Sequence, residues 1–186
     1  MNKVISFLFE QLEEAKLLSG GPLRAKMGTI VEDFVDQAWA QLSKKYPNVS
    51  AEIKVGSKSP ITIYNSFKES VDRHCYINGE LVLAIECKTY LDKCYLQRAD
   101  SDFNLMKGSK HFFSCILSLQ NSVNEDTLKY FLSRGNIDEV FFFSDKKRDS
   151  QAENHICRNP QFLDEEKILI FLNKMEDFFV KASSIT

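Results

Sequence analysis

Two strand-like segments meet at Asn78-Gly79, and that junction constrains the fold more than any other feature of the chain. Residues 70–77 and 81–90 both have the apolar patterning of β-strands, and Asn-Gly between such runs is a strong hairpin signal because both positions of a tight turn need positive φ. The middle of the chain therefore commits to an antiparallel hairpin, and the remaining elements must pack around it.

Upstream, Val4, Ile5, Phe7, Leu8, Leu12, Ala15 and Leu18 recur at helical spacing and predict a helix over 2–18 that Gly20-Gly21-Pro22 ends. A second helix is expected over 22–45, with Met27, Ile30, Val31, Phe34, Val35, Ala38 and Leu42 as its apolar stripe and Tyr46-Pro47-Asn48 as its stop. Short strands follow around Ala51-Glu52-Ile53 and Ile61-Thr62-Ile63-Tyr64. Downstream of the hairpin the pattern gives a helix over 94–106, a buried strand over 111–119, a helix opened by Asn124-Glu125-Asp126 and closed by Gly135, and a strand at Val140-Phe141-Phe142-Phe143. A polar loop over 145–160 and an amphipathic helix over 164–181 complete the chain. This order predicts an α/β fold, a mixed sheet that begins with an antiparallel hairpin and continues through crossover helices, flanked by helices on both faces.

A length of 186 residues suits one domain, 1–186, rather than two of ordinary size. Hydrophobic residues at 44% and charged residues at 27% exclude a disordered chain. No apolar run reaches the roughly 18 residues that a membrane span needs. The five cysteines are odd in number and scattered through apolar segments, which points to reduced core thiols and a cytoplasmic location. A net charge of −2 departs from the basic excess of a self-sufficient nucleic-acid binder.

The chemistry concentrates in Leu81-Val82-Leu83-Ala84-Ile85-Glu86-Cys87-Lys88. Strand alternation predicts Leu81, Leu83, Ile85 and Cys87 on one face, with Glu86 and Lys88 on the other, roughly 6.6 Å apart. Charges within so apolar a strand need partners. Asp72 on the preceding strand is the candidate, and its orientation depends on the turn. A two-residue turn would pair it with Ile85 and point it away from Glu86, whereas a three-residue loop including Glu80 sets it opposite Glu86; the latter register is expected. Two carboxylates about 5 Å apart repel unless they share a cation. An oxygen-rich set with open positions suits Mg²⁺ rather than zinc or copper. Lys88 would orient a water or offset charge on a phosphate.

Asp72, thirteen intervening residues and then Glu86-Cys87-Lys88 on an apolar strand resemble the PD-(D/E)xK nuclease superfamily, although Val71 stands where the motif has Pro. The resemblance implies a restriction-endonuclease-like core. It implies metal binding by Asp72, Glu86 and the main-chain carbonyl of Cys87, with Lys88 assisting the nucleophile. It also implies a helix acid completing the catalytic set, with Glu32 as the matching position and Asp33 or Asp36 as alternatives.

The length and motif order are further similar to the small subunit of a heterodimeric type IIS restriction endonuclease, whose large subunit is a nicking enzyme recognising GAGTC. That similarity implies a Mg²⁺-dependent subunit without a separate DNA-recognition domain. Such a subunit cuts one strand of double-stranded DNA, binds DNA weakly alone and acts only with its large site-recognising partner. Other readings of the same residues are a self-sufficient repair or junction-resolving nuclease and a non-catalytic interaction subunit.

Overall fold

In a computed structural model the described residues are 2–147 and 155–184. The 148–154 portion of the expected polar loop lies outside them. The first helix, α1 (Asn2–Lys16), is followed by α2 (Gly20–Lys45) and two strands, β1 (Ala51–Val55) and β2 (Ile61–Tyr64). Next come β3 (Phe67–Glu69), β4 (Arg73–Ile77), β5 (Glu80–Leu91) and α3 (Lys93–Lys107). The chain continues through β6 (Phe113–Asn121), α4 (Glu125–Ser133), β7 (Glu139–Phe142) and α5 (Glu165–Ser183). Gly20-Gly21-Pro22 opens α2 as well as separating it from α1. Proline is tolerated there because the first turn of a helix has no internal acceptor for its N–H groups.

Five strands form one mixed sheet in the order β1-β4-β5-β6-β7. The pairs β1–β4 and β4–β5 are antiparallel, while β5–β6 and β6–β7 are parallel and joined through α3 and α4. Helices cover both faces, the arrangement of a restriction-endonuclease-like core. On one face Leu83, Ile85, Cys115, Leu117 and Phe143 meet the buried stripes of α1, α2 and α5. On the other, Ala84, Leu91 and Ile116 meet Leu96, Ala99 and Phe103 of α3 and Phe131 of α4. Both faces of β5 and β6 are buried, and this explains their nearly continuous apolar sequence. Among the described residues no helix is long and apolar enough to cross a membrane.

The segment expected as one strand over 70–77 is broken. β3 pairs back onto β2 as a separate hairpin, the chain bends at Asp72, and β4 starts at Arg73. The break has a local cause at Gly56. Its N–H donates to the Asp72 carbonyl at 3.1 Å, and an added Cβ there would lie 1.7 Å from the Val71 carbonyl oxygen. Only glycine permits this approach, which pins the backbone on which Asp72 sits.

Phe34 of α2 is fully buried, with its ring 5.4 Å edge-on from Phe143 and 6.1 Å from Phe171. This cluster locks α2 and α5 onto the sheet. Phe34→Ala is expected to cost about 3–5 kcal/mol of unfolding free energy in urea denaturation, the transfer and cavity terms of a lost core aromatic. A loss below about 1 kcal/mol would contradict the packing described.

Candidate active site

The turn between β4 and β5 has two residues, with Asn78 at φ 52° and Gly79 at φ 82° and Ile77 pairing with Glu80. The three-residue loop expected from the sequence is absent, yet the expected register is present. A β-bulge restores it: Tyr76 pairs with Leu81 and Cys75 with Leu83, leaving Val82 as an extra residue on β5. Beyond the bulge Arg73 pairs with Ile85, so Asp72 follows on as the neighbour of Glu86. The bulge also moves Leu81 to the α3 side of the sheet, away from Leu83, contrary to simple alternation.

Around this register three oxygen atoms and one ammonium converge. Asp72 Oδ2 accepts a hydrogen bond from the Cys87 backbone N–H at 2.8 Å. Lys88 Nζ lies 2.5 Å from Glu86 Oε1 and 3.3 Å from Asp72 Oδ2, and donates to the Cys87 carbonyl at 3.1 Å. Glu86 is 7% exposed, whereas Asp72 and Lys88 are half-buried at the mouth of a cleft of about 220 Å³. Glu32, Tyr90 and Tyr95 also line the cleft.

The three oxygens that hold the ammonium belong to the three residues expected to ligate a metal. Lys88 is thus a stand-in cation, and its geometry provides a test of fit. Two carboxylates and a carbonyl already converge on one positive group, and they form a hard-oxygen set with room for water on the cleft side. Among the described residues no cluster of three or more His, Cys, Asp or Glu side chains has metal-binding geometry. A divalent ion held at Asp72 and Glu86 would rest on two side chains, a carbonyl and solvent, an oxygen-only set.

Electrostatics follow from burial. Glu86 is pushed up to about 7, first by burial and then by the neighbouring Asp72 carboxylate, with Lys88 opposing both. Burial works to lower the Lys88 ammonium, but Glu86 and Asp72 outweigh it and its pKa is raised. Glu32 is raised chiefly by burial, with Arg73 opposing and Asp72 adding to the rise.

Arg73 is a residue that reading the sequence did not single out. Its guanidinium is buried and forks onto Asp36 at 2.7 and 2.9 Å, while Nη1 donates to Glu32 Oε2 at 2.7 Å and to the Asp72 carbonyl at 3.0 Å. One cation thereby ties two turns of α2 to the backbone of Asp72. Burial opposes its charge, but the paired carboxylates hold its pKa above the usual value. Of the three acids considered on α2, Glu32 lines the cleft and Asp36 clamps Arg73. The available signal was an arginine next to Asp72, on the α2-facing side of a buried strand, with acids spaced i and i+4 on that helix. Asp100 on α3 is directed elsewhere, to Arg134 at 3.0 Å and Asn136 at 3.0 Å.

The chain is similar to a type II restriction enzyme. Over 88 residues it is 33% identical to the type II restriction enzyme DdeI of Desulfomicrobium norvegicum, a stretch covering 47% of this chain and 32% of the relative. The chain thus spans about a third of the length of that relative. No family model matches the sequence. The similarity supports a relationship to restriction endonucleases, consistent with the core just described.

The raised pKa of Glu86 sets the sign of a pH effect. Its folded value of about 7 lies above the ordinary 4.5, so the neutral form is favoured in the folded protein. The associated stability is fully present below about 4.5 and lost as pH rises through about 7. Glu86→Gln, neutral throughout, is expected to match the parent near pH ~4 and become the more stable protein by pH ~8. Denaturant titrations across that range check this, and a stability gap that stays flat with pH would refute it.

Proposed function

We propose that this chain is a Mg²⁺-dependent endonuclease subunit that hydrolyses a phosphodiester in one strand of double-stranded DNA and acts with a larger, site-recognising nicking subunit. The observation that carries the proposal is the convergence of Asp72, Glu86 and the Cys87 carbonyl on the ammonium of Lys88 at an open cleft. Similarity to a type II restriction enzyme supports DNA as the substrate.

Asp72, Glu86 and the Cys87 carbonyl would hold Mg²⁺, which when bound supplies Lewis-acid polarisation of the phosphate and a more acidic water. The Cys87 N–H keeps the Asp72 carboxylate oriented, so little reorganisation is needed there. Glu86 is nearly enclosed, so its charge acts at low dielectric, where it has the greatest effect. Lys88, displaced from those oxygens by the ion, would stand beside the phosphate, where its ammonium would offset developing negative charge or orient the attacking water. Glu32, which lines the cleft and is held by Arg73, would complete the acidic set. A slightly acidic chain has little affinity for a polyanion, which supports reliance on a partner for binding and address.

A self-sufficient nuclease is the second reading, favoured by the relative being described as an enzyme rather than a subunit. Cleavage of plain or branched DNA by the purified chain alone would select it.

In a mixture with the large subunit and Mg²⁺, Glu86→Ala is expected to slow the second-strand cut by at least about a hundredfold, the scale of losing one preorganised charged group. Gel analysis should then show DNA nicked in one strand, and EDTA should abolish cutting by the parent. Full double-strand cleavage by the Glu86→Ala mixture would overturn the assignment.

A further inference from the structure

The hairpin of β2 and β3 stands apart from the main sheet. It is anchored from one side only: Ile61 is 4% exposed and packs with the core beneath α3, and Ile63 lies partly buried against the same cluster. The residues that alternate with them, Thr62 and Tyr64, face solvent. At the tip Tyr64 pairs directly across from Phe67, and the chain turns through Asn65, whose φ of 49° lies in the left-handed region that asparagine tolerates better than most residues. Tyr64 is 73% exposed and Phe67 50%. Single exposed apolar residues are ordinary, but two rings paired at the end of a projecting ribbon form a surface that water solvates poorly.

Two further observations say what this surface would meet. Residues 57–69 contain Lys58 and Lys68, both exposed, against one acid, the half-buried Glu69 at the base of the hairpin, in a chain whose overall charge is −2. Phe67 also lies only five residues before Asp72, so their Cα atoms are at most about 18 Å apart even with the chain fully extended. At about 3.4 Å per base-pair step, the rings fall within about five steps of a phosphate held at Asp72.

We propose that the β2–β3 hairpin is a DNA-contacting arm. This inference rests on the nuclease reading of the site. The Tyr64 and Phe67 rings stack on bases or sugars, and Lys58 and Lys68 lie against phosphates on either side. A two-stranded ribbon fits the major groove, and apolar or aromatic side chains at such a tip can also wedge between base steps. A polyanion with stackable faces matches paired aromatics flanked by lysines better than a protein surface does.

The test uses the full chain, a short fluorescently labelled duplex, low salt and Ca²⁺ in place of Mg²⁺, with binding read by anisotropy. The double variant Tyr64→Ala/Phe67→Ala is expected to weaken DNA binding by about tenfold or more, the scale of lost aromatic stacking. Lys58→Gln/Lys68→Gln should lower the slope of log affinity against log salt by about two. Tyr130→Ala, which removes an exposed ring on α4, should leave binding unchanged, and all variants should keep the parent's Tm. Parental affinity in the aromatic double variant would overturn the arm while leaving the nuclease reading intact. Unchanged DNA binding with lost association to the large subunit would overturn it in favour of a protein-docking surface. A parent chain that binds no DNA under these conditions would overturn the arm and leave intact the nuclease reading, which assigns binding to the large subunit.

Discussion

Two carboxylates forced onto the same sheet face in a poorly solvated site repel each other, and this molecule keeps Asp72 and Glu86 together by placing a positive group between them. Removing the charge of one acid, or the positive group, would change the energy of the others, because at low local dielectric none is independently solvated. The consequence is visible in Glu86, whose ionisation is delayed to about pH 7 despite a lysine 2.5 Å away. Burial and repulsion together exceed the attraction of one partner. That imbalance favours acceptance of a divalent charge.

The backbone around the site is held from two sides. From the sheet, Gly56 closes on the Val71–Asp72 segment and the Cys87 N–H fixes the Asp72 carboxylate. From the helical layer, Arg73 links Asp36, Glu32 and the Asp72 carbonyl. A buried cation with three partners is weak evidence for added stability, since desolvation offsets most of its attraction. Its geometric effect is less ambiguous: α2 cannot slide along the sheet without stranding a buried guanidinium. The aromatic cluster of Phe34, Phe143 and Phe171 presses the same helix down a few residues further on.

Much of this was legible in the chain. Among the described residues apolar periodicity located each α-helix to within a few residues, Asn124 was recognised as a helix start and does cap Thr127 N–H at 2.8 Å, and Asn78-Gly79 marked the hairpin. The face shared by Asp72 and Glu86 was anticipated, but through the wrong device. Val82 is as apolar as its neighbours, so nothing in its identity marks it as the residue that bulges, and the face occupied by Leu81 was misread as a result. The partners of Arg73 were hidden because they lie 37 and 41 residues away on a helix whose orientation only tertiary packing decides. The break between β3 and β4 was missed for a similar reason, since it depends on the approach of Gly56 from the turn that follows β1.

The central claim, that Asp72 and Glu86 form one cation site, is tested most directly by calorimetric titration of the Lys88→Met protein with Mn²⁺, alone and combined with Asp72→Asn or Glu86→Gln. One Mn²⁺ should bind to Lys88→Met at least as tightly as to the parent, because the competing ammonium is gone, and either additional substitution should weaken binding by about tenfold or more. Affinity indifferent to both acid substitutions would show that the two carboxylates do not share an ion.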